Sequence, residues 1–128
     1  PNECCGLLIG KENIVLNIQS CDNIHSNPKT RYTIEPKDLL LAEKFSDDHN
    51  MNILAIYHSH THSQAYPSKT DIENAIESMW TNPYYVLISL VEKTRPIIRA
   101  FKISDNKNVE ELIIEHDGEA YISPTENS

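Results

Sequence analysis

Short apolar blocks, separated by charged or proline-containing breaks, run along almost the whole chain. Cys4 to Ile9 is an apolar run stopped at Gly10. Asn13 to Ile18 follows after a charged turn at Lys11 and Glu12, so the two runs read as a strand hairpin. Arg31 to Ile34 reads as a further short strand. Pro36 stands where a first helical turn accepts proline, and Asp38 to Phe45 has helix-forming composition. Ile53 to Tyr57 is apolar at every position, as expected of a central strand covered on both faces. A second helix is predicted from Ser68 through Met79, with Ile72, Ala75, Ile76 and Met79 on one face. Tyr84 to Val91 and Pro96 to Ile103 are the clearest strands, joined by a short polar turn. Glu110 to Ile114 reads as an edge strand before a polar tail. Strands mixed with two helices predict a layered α/β or α+β domain. No repeat or linker divides residues 1–128, so one domain is expected. Its first strand follows so closely on Pro1 that there is room for a further helix upstream.

Length and charge narrow the classes of function. The 128 residues suffice for one compact domain and are too few for two ordinary ones. Eleven Lys and Arg against nineteen Asp and Glu give 11 − 19 = −8, a poor match for nucleic acid or an anionic membrane face. No apolar run approaches the ~20 residues needed to cross a bilayer. No basic-then-apolar leader opens the sequence, and the expected compartment is the cytoplasm. The three cysteines agree with that expectation. Cys4 and Cys5 are adjacent and do not readily bridge each other, leaving at most one bridge to Cys21. Small buried thiols in a reducing compartment are expected, and no pair of cysteines has the spacing of a metal site.

The segment from His58 to Asp71 holds most of the candidate chemistry. Residues two apart on a strand project to the same side, so the strand ending at His58 and His60 delivers two imidazoles to one spot. Taken alone, the pair is more simply read as two ordinary surface histidines at a strand end. Ser68 and Asp71 fit the pattern of a capping box, the serine satisfying an orphan amide and the acid lying one turn inside the helix. The same geometry presents a carboxylate on a rigid first turn, just beyond the loop that leaves the histidines. Two His and one Asp would leave a fourth tetrahedral position for water, the arrangement of catalytic zinc. A carboxylate beside such a metal would move the proton of the attacking water. Glu3, directly before a strand that could run beside the histidine strand, is the candidate; a plain surface acid is the alternative.

Together these residues carry a family resemblance. Glu3 with the run to Gly10, then His58 and His60, then Ser68 and Asp71 at their spacing, resembles the motif of the JAMM (MPN-plus) metalloproteases. The similarity extends from Pro1 to about Ile114. It implies Zn2+ bound by His58, His60 and Asp71, with Glu3 as general acid/base and Ser68 supporting the oxyanion. The implied fold is a cytidine-deaminase-like three-layer α/β/α sandwich around a curved mixed sheet. Thr61 departs from the commoner pattern, which has proline after the second histidine. The loop ending at Ala65, Tyr66, Pro67 and Ser68 is similar to the prokaryotic branch that processes ubiquitin-like sulfur carriers. The resemblance therefore implies a cytoplasmic peptidase whose partner is a β-grasp carrier protein. It would hydrolyse the amide bond after the carrier's Gly-Gly tail, with cysteine as one leaving group. A homodimer is left open. The alternatives are a peptidase of the same fold acting on other small peptides, and a non-catalytic scaffold of the MPN-minus kind. Among other residues, His62 reads as a loop histidine beside the site, and His25, His49 and His116 as solvent-facing. Trp80 reads as packing at a helix end, and Tyr66 as either a groove wall or loop packing.

Overall fold

Strand pairing gathers the predicted apolar runs into one mixed sheet. The computed structural model of the chain describes residues 2–61, 63–91, 96–116 and 118–121. The expected hairpin is formed by β1 (Cys5–Lys11) and β2 (Ile14–Cys21). Glu12 and Asn13 make its turn with φ of 52° and 63°. Two successive left-handed residues give a turn whose twist matches that of the paired strands. Helix α1 (Pro36–Asp48) starts at the predicted proline and runs three residues past Phe45. β3 (Asn52–His60) is longer than its apolar run and includes both histidines. α2 (Lys69–Glu77), β4 (Tyr84–Ser89), β5 (Ile97–Ile103) and β6 (Val109–Leu112) follow. The sheet order is β2-β1-β3-β4-β5-β6. Among the described residues only β3 and β4 pair in parallel, as the α2 crossover between them requires.

The register explains the core. Leu7 pairs with Ile56, Ile56 with Tyr85 and Tyr85 with Phe101, so the four side chains form one row on one face. All are buried, and Ala42 of α1 and Ala75 of α2 join the same cluster. The next row on that face is Cys5, His58 and Leu87. The sheet thus carries its apolar core into the histidine pair without a break. Both histidines lie at the carboxyl end of β3, where sheets with such crossovers gather their ligands.

Several sequence expectations are corrected. Arg31 to Ile34 is not a strand; only Ile34 makes a bridge, to Asn23. The Asn23 side chain binds the Arg31 carbonyl and the Thr33 amide, taking the groups a neighbouring strand would use. Met79 lies beyond the end of α2 in a left-handed conformation (φ 57°) and is exposed, not on the apolar face. The tail carries a hairpin of β7 (Ile114–His116) and β8 (Glu119–Tyr121). The expected edge strand at Glu110 to Ile114 is split between β6 and β7 by Ile113. The turn at 92–95 and His62 fall outside the described residues.

Gly10 sits at a β-bulge, and a Cβ there would collide with the Ile14 backbone carbonyl. Because backbone cannot swing aside as a side chain can, Gly10→Ala should lower stability by about 1–3 kcal/mol, read from denaturant midpoints.

The cysteines are all reduced, and they are not equally buried. Cys5 is buried, Cys21 is half-buried and Cys4 is exposed. Strand alternation explains the difference between neighbours, since Cys4 and Cys5 point to opposite sides. Burial pushes the Cys5 thiol up to about 12 and Cys21 up to about 11. A disulfide reagent at about pH 8 should therefore label Cys4 quickly, with the other two reacting only after unfolding. Rapid reaction of all three in the folded protein would contradict this burial.

Candidate active site

The metal-ligand candidates are brought together by two different elements. His58 and His60 project from the same side of β3, and Asp71 stands in the first turn of α2. His58 Nε2 and His60 Nε2 are 3.0 Å apart. Asp71 Oδ2 lies 3.2 Å from the first and 3.0 Å from the second. Three ligand atoms around one tetrahedral cation with bonds of about 2.0–2.1 Å would be roughly 3.3 Å apart, so the triangle is close to that size. Both imidazoles are buried, and the Asp71 side chain retains 11 % exposure.

Hydrogen bonds fix the atoms that face inward. The His60 Nδ1–H donates to the Gln64 carbonyl at 2.8 Å, so the neutral ring turns its Nε2 lone pair to the centre. The Ser68 amide donates to Asp71 Oδ2 at 2.9 Å, while Ser68 Oγ accepts from the Asp71 amide at 3.0 Å. This is the capping box expected from the sequence, and it locks the carboxylate rotamer. Two imidazoles and a carboxylate form a donor set suited to zinc and to other divalent cations. The residues present fit a metal ion.

Electrostatics agree with a site that stabilises positive charge. Burial disfavours the charged form of Asp71, yet in the metal-free protein hydrogen bonds from His58, and from His60 in its protonated form, overcome it and hold the carboxyl far below its usual range. Burial likewise opposes a charged His60, but Asp71 and the Gln64 carbonyl raise its pKa above the ordinary 6.5. Among the described residues this is the only grouping of three His, Cys, Asp or Glu side chains with ligand atoms so close.

Glu3 is brought to the same face by the antiparallel register. Cys5 pairs with His58, and the Ser59 amide donates to the Cys4 carbonyl at 3.0 Å. Continuing that ladder by one residue sets Glu3 opposite His60. Glu3 is 7 % exposed, and its carboxylate makes no hydrogen bond to another described residue. Burial is the main reason its pKa rises from 4.5 to about 7; His60 lowers it and Asp71 raises it further.

A wall of the site was not visible in the sequence. The segment between β2 and α1 folds over β3, and Tyr32 stacks on the His58 ring with centroids 4.4 Å apart and planes 25° apart. The Glu3 amide donates to the Pro28 carbonyl at 2.7 Å. Thr61, where proline is commoner, is buried and donates its hydroxyl to the Lys29 carbonyl at 3.4 Å, a bond proline could not make. Asn23 joins these parts, donating to the carbonyls of Glu3 and Arg31 and accepting from the amides of His25 and Thr33. Asparagine's readiness to bond nearby backbone is the one signal that could have pointed to it. Tyr66 is exposed at 45 %, with its ring edge on Phe101, so it packs on the core rather than on the histidines. Trp80 packs against the core at the end of α2, as expected. His49 is exposed with its ring against Phe45, and His25 is only half-buried, accepting from the Asn27 amide.

Comparison with known proteins then decides the family. The model for prokaryotic homologs of the JAB domain matches residues 1–104. The chain belongs to this family. Among curated relatives, the JAB-domain chain is 33 % identical over 115 residues to the CysO-cysteine peptidase of Mycobacterium tuberculosis. That match covers 88 % of this chain and 76 % of the relative. A probable TtuB-protein conjugate cleaving protease of Thermus thermophilus is 36 % identical over 86 residues, covering 67 % and 55 %. Among solved structures, protein DSY2949 of Desulfitobacterium hafniense superposes with a TM-score of 0.75 at 29 % identity, covering 88 % of this chain and 76 % of that one. The JAB assignment agrees with the resemblance drawn from Glu3, His58, His60, Ser68 and Asp71, and with the mixed α/β sheet. Among the described residues no helix is long and apolar enough to cross a membrane.

Proposed function

We propose that this protein is a zinc-dependent peptidase that hydrolyses the amide bond after the C-terminal tail of a ubiquitin-like sulfur-carrier protein. The observation that carries the reading is the convergence of His58 Nε2, His60 Nε2 and Asp71 Oδ2 within 3.2 Å of one another. Relatives named for cleaving a CysO–cysteine bond and a TtuB–protein conjugate support the choice of substrate.

His58, His60 and Asp71 would hold the metal. When bound, zinc supplies Lewis-acid polarisation of the scissile carbonyl and makes water acidic enough to attack at neutral pH. Glu3 takes the proton from the attacking water as the new C–O bond forms. It returns that proton to the departing nitrogen as the C–N bond breaks. A carboxyl raised to about 7 is suited to both halves of that transfer near neutrality. Ser68 Oγ accepts from the Asp71 amide, so its own hydroxyl proton remains available for the developing oxyanion. Ser68 itself is exposed at the mouth of the site, where an extended tail could reach it. The reaction takes place in the cytoplasm in this reading, with the carrier as partner and substrate.

The test uses a β-grasp carrier whose Gly-Gly terminus is extended by cysteine or by a short peptide. Mass spectrometry should find the carrier trimmed to its Gly-Gly end. A chelator should stop the reaction and added zinc should restore it. Cleavage that persists after complete metal removal would exclude the metal mechanism. Turnover of short free peptides with the carrier fusions left intact would exclude the substrate.

A further inference from the structure

His58 is held differently from its partner. Histidines that bind metals usually donate their second ring nitrogen to a carboxylate or carbonyl, which fixes the ring's orientation. His60 follows that rule through Gln64. The Nδ1 atom of His58 is fully buried and has no hydrogen-bond partner among the described residues. The ring instead lies against Tyr32, centroids 4.4 Å apart and planes 25° apart. We infer that Tyr32 is a positioning residue that orients His58 for metal binding by ring stacking, in place of the missing second-nitrogen hydrogen bond.

The geometry gives a reason for each part. The ligand triangle lies at the Nε2 edge of the His58 ring, and the ring meets that of His60 edge-on, with centroids 4.9 Å apart and planes at 60°. Without a hydrogen bond at Nδ1, rotation about the Cβ–Cγ bond is opposed, beyond the contacts of Nε2 within the ligand triangle, only by packing. A flat aromatic surface opposes it more strongly than a flexible aliphatic side chain. Tyr32 is itself kept in place on both flanks. The Asn23 side chain holds the Arg31 carbonyl and the Thr33 amide, each at 2.9–3.0 Å, and its other amide proton binds the Glu3 carbonyl at 2.9 Å. Asn23 therefore ties the residue before Tyr32, the residue after it and the proposed acid/base to one point. The Tyr32 hydroxyl makes no hydrogen bond to a described residue, so the stacking role belongs to the ring.

This inference rests on the metal reading above, and the experiment separates the two. Zinc affinity is measured by chelator competition, and the visible absorption of the cobalt-substituted protein reports ligand geometry, for wild type, Tyr32→Phe, Tyr32→Leu and Asn23→Ala. Tyr32→Phe keeps the ring and should match wild type in both measurements. Tyr32→Leu should bind zinc about 10–100-fold more weakly, the usual cost of losing support behind a ligand, with an altered cobalt band. A folded Tyr32→Leu protein with wild-type affinity and spectrum overturns the inference. Loss in Tyr32→Phe as large as in Tyr32→Leu overturns it too, since the hydroxyl would then be the active part. If Tyr32→Leu does not fold, Asn23→Ala carries the test, because it loosens the flanks and leaves the ring: weakened zinc binding supports the inference, and unchanged binding overturns it. A wild-type protein that takes up no metal overturns the functional reading and this inference together.

Discussion

Glu3→Gln protein should retain its full complement of zinc and lose about 100- to 10,000-fold in kcat, the usual contribution of a positioned acid/base. Glutamine occupies the same volume but cannot carry a proton between water and the leaving nitrogen. Zinc content by elemental analysis and turnover of a carrier fusion check both halves. Wild-type turnover in this variant would remove Glu3 from the mechanism. The same substitution should stabilise the metal-free protein, in a direction set by the raised pKa. The folded state holds the Glu3 proton up to about 7, whereas the unfolded chain releases it near 4.5. Stability from this group is full below the unfolded value and falls as pH rises through that window. The variant should therefore match wild type at about pH 4 and exceed it by about 3 kcal/mol at about pH 8 in the metal-free state. Denaturant unfolding of chelator-treated protein reads the difference. Equal stability at both pH values would show that the Glu3 carboxylate is not stressed by burial.

Asp71→Ala should abolish both zinc retention and activity, and it should also weaken the start of α2. One carboxylate oxygen meets both histidines and the Ser68 amide, so a single truncation removes a ligand, a charge and half of the capping box. The lost cap costs about 1 kcal/mol. Asp71→Asn separates these roles. Its side-chain oxygen can still accept from Ser68, so the metal-free melting temperature should stay above that of Asp71→Ala, while zinc binding is lost or greatly weakened. Stoichiometric zinc in dialysed Asp71→Ala protein would exclude Asp71 as a ligand.

Legibility in the sequence followed how local each cause was. His58 and His60 could be paired because strand periodicity alone puts them on one side. Ser68 and Asp71 could be placed because a capping box is complete within four residues. Glu3 is suggested by its place before a strand that could run beside the histidine strand, and by the family resemblance; its actual position depends on β1 running antiparallel to β3, with Cys5 opposite His58. No spacing along the chain contains that register. Tyr32 was read as part of a strand because its neighbours have strand composition, and the override came from one distant side chain, Asn23. Met79 continued the helical period arithmetically, but the helix had already ended at Glu77. The β7–β8 hairpin has only three residues per strand, too few for an alternation to register.

The parts of the site come from before β1, from the excursion after β2, from the end of β3 and from the start of α2. None of these pieces can meet until the sheet has closed over a long stretch of chain, and contacts so remote in sequence form late. In a refolding experiment, far-UV signal from the helices should therefore recover ahead of hydrolysis, and enzymatic output becomes a gauge of finished tertiary structure rather than of early collapse.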